Sequence, residues 1–179
     1  MDEKPGRIEM NFLELAKDRY SCRQLSDRAV EQEKINMILE AAQAAPTAHN
    51  AQPYKIWVLQ SEEAKAKLAE VNSYMFGASL FFVVGGEKSR AWVRSFDGEN
   101  FSMVDASIVA THMMLEIHAL GLRSTWVGKF DTPRMKELFP EMQDYDLVAI
   151  FPVGYPAEDA HPAHLHRERR ELSELVSFL

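Results

Sequence analysis

The stretch Met103 to Leu120, MVDASIVATHMMLEIHAL, decides the architecture. Met103, Ala106, Ala110, Met113, Ile117 and Leu120 recur at spacings of 3, 4, 3, 4 and 3, a heptad-like helical seam. Ile108, Val109 and Leu115 fall on other faces, so the helix is apolar nearly all round. Such a helix is either the core helix of one subunit or part of a subunit interface, and the pattern favours the interface. Gly121 stands where a C-cap glycine ends a helix.

Working outward, helices and strands alternate. Leu122 to Gly128 and Leu147 to Val153 read as strands. Between them, Thr132 reads as an N-cap with Pro133 at the first helical position, and Pro140 stops that helix. Upstream, Leu80 to Val84 is a continuous apolar run closed by Gly85 and Gly86, as in a strand buried on both faces. Glu87 to Ser102 is polar and mixed, and reads as a loop or short irregular helix. Tyr54 to Gln60 reads as a strand, and Ser61 caps the next helix. Ile35, Ile38, Leu39 and Ala42 mark a helix that Pro46 ends. Asn11 and Glu14 form a capping box for a first helix whose pattern stops around Tyr20. The tail from Pro156 is polar and rich in His and Arg, and turns apolar only in Leu172, Leu175, Val176, Phe178 and Leu179. These elements predict an α+β fold in one domain over residues 1–179.

Composition excludes several classes. The chain has 179 residues, 46% of them hydrophobic and 26% charged, as in ordinary globular proteins. Its net charge of −7 makes it a poor general binder of nucleic acid or of an anionic membrane. The single cysteine, Cys22, excludes an intramolecular disulfide framework and points to a reducing compartment. The opening stretch MDEKPGRIEM is charged and lacks the apolar region of a secretory signal, so a cytoplasmic protein is expected.

Four short segments are candidates to carry chemistry. In Arg19-Tyr20-Ser21-Cys22-Arg23, an extended backbone points residues 19, 21 and 23 to one side. Two arginines and a hydroxyl on one face make an anion site, with the arginine Cα atoms ~13 Å apart, enough to grip different parts of one elongated ligand. A solvated turn would carry the same residues without function. In Pro46-Thr47-Ala48-His49-Asn50-Ala51-Gln52-Pro53, a hydroxyl and two amides could meet the edge of a planar heterocycle, or could serve their own backbone. The tail offers Arg167-Glu168-Arg169-Arg170, whose arginines suit phosphate but are balanced by Glu168 and Glu171. His161, His164 and His166 lack a carboxylate or thiol at ligand spacing, so no metal is expected. His112 and His118 read as satisfied core histidines. The eight glycines fit neither GxGxxG nor GxxxxGK[ST], so no dedicated dinucleotide fold or P-loop is indicated.

In order, these features resemble the nitroreductase family of FMN enzymes along nearly the whole chain. The matching pieces begin with Arg19-x-Ser21-x-Arg23 and Ala44-Ala45-Pro46-Thr47-Ala48-x-Asn50-x-Gln52-Pro53. They continue with Val104-Asp105-Ala106-Ser107, Gly121-Leu122-x-Ser124-Thr125-Trp126-x-Gly128 and Gly154-Tyr155-Pro156-Ala157-Glu158, and the Arg-rich tail follows. The resemblance implies a central mixed or antiparallel sheet flanked by helices, in a homodimer with a long central interface helix. It implies FMN at the subunit interface and hydride transfer from NAD(P)H to a nitroaromatic, quinone or similar acceptor by ping-pong kinetics. The alternative is a flavin-binding or flavin-processing protein without nitroreductase turnover.

The resemblance also assigns residues. Arg19 and Ser21 would hold the phosphate and ribityl end, and Arg23 would approach the ribityl chain and pyrimidine edge. Arg167 and Arg169 match tail positions that grip the phosphate, on a tail of about 156–179 that extends to the cofactor and the partner subunit. Pro46, Thr47, Ala48, Asn50 and Gln52 match the stretch that comes from the other subunit. Trp126, Gly128 and Lys129 match the segment whose backbone faces flavin N5. No catalytic side chain is implied, because solvent can supply protons. A polar residue beside the pyrimidine would fall near Val71 and Asn72, while Tyr74, Met75, Phe76, Trp92, Phe96 and Phe101 are candidates to line the substrate pocket. The chain is short for the family, and the His-rich stretch is not part of its pattern.

Overall fold

A computed structural model describes residues 11–179. The charged opening stretch, and with it the expectation about a secretory signal, lies outside the described residues. The element order is α1 (Phe12–Asp18), α2 (Gln32–Gln43), β1 (Tyr54–Leu59), α3 (Glu62–Val71), β2 (Leu80–Glu87), α4 (Ser102–Ala119), β3 (Arg123–Ser124), α5 (Thr132–Leu138), β4 (Tyr145–Gly154) and α6 (Leu172–Leu175). The strands form one antiparallel sheet in the order β1-β2-β4-β3. Beyond it, Ser21 makes a parallel bridge to Ser124, and Leu25 an antiparallel one to Pro156.

The sheet is covered on both faces, and the period-2 alternation of β2 shows how. Leu80, Phe82 and Val84 join Ala149, Phe151 and Val153 of β4 in a core beneath α2 and α4. Phe81 and Val83 point the other way, into a second core with Leu68 and Val71 of α3 and Met135 of α5. The reading of β2 as buried on both faces holds, but the strand does not stop at Gly85 and Gly86. It runs on to Glu87, with a bulge between Val84 and Gly85. The glycines serve packing instead: a Cβ on Gly86 would stand 2.5 Å from the Ser102 carbonyl oxygen at the start of α4.

Local caps follow the sequence closely. The Asn11 side chain accepts from Glu14 N–H at 3.0 Å while Glu14 Oε2 accepts from Asn11 N–H at 3.2 Å. Ser61 caps α3 through the Ala64 N–H, and α1 ends at Asp18, two residues before Tyr20. At α5 the cap is Asp131 rather than Thr132, because its carboxylate reaches the Arg134 N–H at 3.0 Å. Gly121 has the left-handed φ of 75° that follows a helix end.

Two other expectations need correction. Leu122 to Gly128 is not one strand: only Arg123 and Ser124 pair in the ladder, and Val127 makes a lone bridge to Ile150. Most of segment 125–129 therefore leaves the sheet, with Val127 alone of these residues bridged to Ile150. The α4 seam whose spacing favoured a subunit interface lies instead mostly in the chain's own core. Ala106, Ala110, Met113, Ile117 and Leu120 are fully buried in the core, whereas Met103 is 50% and Val104 43% exposed. Together with Ser107, Ile108 and Thr111 these two line an open groove of about 440 Å³ on the outer side of the helix. Among the described residues no helix is long and apolar enough to cross a membrane.

Candidate cofactor site

After Asp18 the chain turns from helix to extended backbone at Arg19 (φ −60°, ψ 124°). It is then pinned beside β3: Cys22 N–H donates to the Ser124 carbonyl at 3.0 Å, and Ser26 N–H to that of Tyr155 at 2.8 Å. Cys22 is fully buried and its thiol donates to the Gln24 carbonyl. Arg19, Ser21 and Arg23 face the opposite way, as alternation requires, and line a cavity of about 250 Å³.

The tail closes this cavity with Ala163, Leu165, His166 and Arg169, and among the described residues no carboxylate lines it. Arg169 is held by donating to the His166 and Glu168 carbonyls at 2.6 and 2.7 Å. Burial, with Arg169 adding to it, lowers the pKa of Arg19. Cations gathered with no counter-charge among the described residues fit a phosphate dianion, which would relieve their repulsion and accept several charge-assisted bonds. Arg167 does not join them. It lines a neighbouring cavity with His161, His164 and His166, because successive tail residues point to different sides. His166 is a lining residue that sequence reasoning missed; it lies edge-on to Tyr20 at 6.1 Å. Among the described residues, His, Cys, Asp and Glu side chains form no group of three that could hold a metal ion.

Arg23 also lines a second cavity, of about 160 Å³, with Tyr74, Phe76, Trp126, Gly128 and Lys129. The turn that presents Tyr74 and Phe76 is built by Asn72. Its carboxamide oxygen accepts from Tyr74 N–H at 3.0 Å, and its nitrogen lies 3.5 Å from the Tyr74 carbonyl. Asn72 is thus taken up by its own turn. Phe76 and Gly77 follow with positive φ, and the Phe76 carbonyl accepts from Leu25 N–H, which ties the turn to the segment after Arg23. Of the other pocket candidates, Met75 packs into the second core, Trp92 lies between His49 and Phe101, and Phe96 is almost fully exposed.

The loop 46–52 lies elsewhere. His49, Asn50 and Gln52 all have left-handed φ, near 50°. Such residues cost about 1–3 kcal/mol each unless their surroundings hold them. Three contacts do so. Thr47 Oγ1 accepts from Gln52 N–H at 3.0 Å, Asp105 Oδ1 accepts from Ala48 N–H at 3.0 Å, and His49 stacks on Trp92 at 5.7 Å. This loop is therefore fixed to the start of α4, while the arginine segment is fixed to its end, where His118 bonds Asp18 at 2.9 Å. Asp105 and His118 are separated by roughly 20 Å along the helix, at about 1.5 Å per residue. No residue of loop 46–52 lines either of the two cavities.

The family model of the nitroreductase family matches residues 16–74 and 72–155. The chain belongs to the nitroreductase family. A crystal structure of a nitroreductase family protein from Clostridium difficile 630 is 40% identical, with a TM-score of 0.88 over 94% of this chain and 98% of that one. A Methanothermobacter thermautotrophicus protein, provisionally named NADH dehydrogenase/NAD(P)H nitroreductase, is 29% identical over 92% of this chain and 91% of that one. A Desulfovibrio desulfuricans structure solved in complex with FMN is 25% identical, with a TM-score of 0.76 over 94% and 96% of the two chains.

One buried histidine of this chain is biased towards its neutral form. His118 is 1% exposed, and burial, reinforced by Arg123, lowers its pKa from the ordinary 6.5 despite the opposing Asp18. Its Nε2 faces the Asp18 carboxylate, but Nδ1 has no partner among the described residues. The neutral form is favoured when folded. Stability linked to it is full above pH 6.5 and falls as pH drops below that value, where the unfolded chain takes up the proton first. Histidine NMR titration is expected to place the His118 pKa below 6.5; a value above 6.5 would mean that Asp18 outweighs burial.

Proposed function

We propose that this nitroreductase-family protein is an FMN-dependent NAD(P)H oxidoreductase that acts as a homodimer, with each FMN held between two copies. The observation that carries this reading is one guanidinium shared by two cavities. Arg23 lines both the cationic cavity of Arg19, Ser21 and Arg169 and the aromatic cavity of Tyr74, Phe76 and Gly128. That order suits a molecule with a phosphate at one end and a planar ring at the other. Arg19, Ser21 and Arg169 would hold the phosphate, and Trp126, Gly128 and Lys129 would meet the ring. When bound, FMN supplies reversible hydride acceptance and donation.

The loop of Pro46, Thr47, Ala48, Asn50 and Gln52 supports the homodimer, because it is preorganised yet far from its own chain's cavity. Antiparallel pairing of two α4 helices through Met103, Val104, Ser107, Ile108 and Thr111 would set the loop of one copy beside the arginines of the other. The tail of 156–179, with Leu172, Leu175, Val176 and Phe178 exposed, would then lie on the partner. We read residues 1–179 as one domain of that dimer. Cys22, the single cysteine, supports a reducing, cytoplasmic setting.

The chain's own groups position and polarise. The Arg23 guanidinium places fixed positive charge between the two cavities, and the Tyr74 and Phe76 rings, tilted 37° to one another, offer aromatic surface to an acceptor. Without a dinucleotide fingerprint, NAD(P)H and the acceptor, a nitroaromatic or quinone, would use the same place in turn, which gives ping-pong kinetics. Anaerobic NADH or NADPH is expected to bleach the flavin absorbance of the FMN-loaded protein. A nitroarene or quinone added after removal of the nicotinamide is expected to restore it. Failure of both nicotinamides to bleach it would overturn the reading.

A further inference from the structure

We propose that Asp105 is a positioning residue for the flavin-facing loop: its carboxylate holds the Ala48 N–H and so keeps Thr47, Asn50 and Gln52 in their strained, binding-ready arrangement. The inference rests on the reading of that loop as part of the FMN site, and it adds a residue outside it.

Asp105 lies in the first turn of α4 and is only 2% exposed. A carboxylate so deeply buried is retained at a cost, so its contact matters. That contact is specific. Oδ1 accepts from Ala48 N–H at 3.0 Å, while Oδ2 has no hydrogen-bond partner among the described residues. The bond falls where the loop most needs holding. Ala48 precedes His49 and Asn50, both at left-handed φ, and Gln52 follows with the same conformation. None of the three is glycine, so the arrangement persists only while neighbouring contacts over-determine it. The Thr47–Gln52 bond lies within the loop and moves with it. The His49–Trp92 stack ties the loop to the 88–101 segment, which packs over the start of α4 through Phe101. Besides the Tyr54 N–H bond to the Gln52 carbonyl at the loop's end, Asp105 ties the loop to the buried frame through a directional bond to its backbone, at the residue just before the strained pair.

A positioning role makes a specific prediction about coupling. If Asp105 holds Asn50 in place, removing Asp105 should remove most of what Asn50 contributes. Independent contributions would instead add. FMN affinity is measured by fluorescence titration for the wild type, Asp105→Ala, Asn50→Ala and the double variant, with each fold checked by circular dichroism. Asp105→Ala is expected to weaken FMN binding roughly tenfold. Riboflavin binding should weaken by a similar factor, because the loop does not serve the phosphate. Asn50→Ala should weaken binding in the wild-type background but hardly further in the Asp105→Ala background. Asp105→Asn keeps an acceptor for Ala48 N–H and should restore most of the affinity. Additive losses in the double variant would overturn the proposal, as would Asp105→Asn behaving like Asp105→Ala. An Asn50→Ala variant that binds FMN normally would overturn the loop's place in the FMN site, and the proposal with it.

Discussion

Arg19→Ala is expected to weaken FMN binding by about 1.5–3 kcal/mol, the value of one charge-assisted hydrogen bond to a phosphate. At about 1.4 kcal/mol per decade, that is roughly a 10- to 150-fold rise in Kd. Arg19 lies in the cavity beside Ser21, Arg23, His166 and Arg169. Its charge is partly uncompensated there, because burial and Arg169 both act against it. Removing it therefore relieves repulsion in the empty protein as well as weakening the complex, and the loss of affinity grows as salt is lowered. Arg19→Lys should recover only part of the loss, because an ammonium lacks the bidentate fork. Riboflavin, which has no phosphate, should bind the wild type and Arg19→Ala equally. Unchanged FMN affinity in Arg19→Ala would reject the phosphate role.

The second large effect concerns the outer face of α4. Ile108→Asp should abolish the dimer and FMN binding together. Ile108 is only partly buried by its own chain and lines the outer groove with Met103, Val104, Ser107 and Thr111. In a twofold pairing the new carboxylate is desolvated once from each copy, without a cationic partner. An uncompensated buried charge costs about 3–5 kcal/mol, so two far exceed what a modest interface tolerates. Light scattering should report the monomer mass while circular dichroism stays that of the folded chain. A variant that remains dimeric would place the interface elsewhere.

Much of this was legible in the residues. The two-sided burial of β2 could be read from its unbroken apolar run, and the alternation of Arg19, Ser21 and Arg23 from a strand-like period of 2. Caps at Asn11 and Ser61 were legible because a cap is decided within four residues. What the sequence concealed depends on contacts between distant segments. Gly85 and Gly86 looked like a strand end, but close packing of Ser102 against Gly86 requires a residue without a side chain. Asp131 capped α5 in place of Thr132, since either side chain could have reached the exposed amides. Arg167 and Arg169 looked alike in the tail, yet only Arg169 lines the cavity with Arg19. Asp105 stood out only within the Val104-Asp105-Ala106-Ser107 piece of the resemblance, and its role was hidden because an acidic residue in the first turn of a helix is ordinary.

The central claim is that each FMN site is split between two copies, with Arg19 from one and Asn50 from the other. FMN stoichiometry of mixed variants tests it most directly. Homodimers of Arg19→Ala, and those of Asn50→Ala, each carry a defect at every site. After subunit exchange, a heterodimer joins the intact Arg19 of one copy to the intact Asn50 of the other. Its remaining site carries both defects. The account predicts that the mixture regains up to one tight FMN site per heterodimer, about half of the wild-type number in that species. With exchange confirmed, a mixture that shows no gain over the separate variants would contradict it.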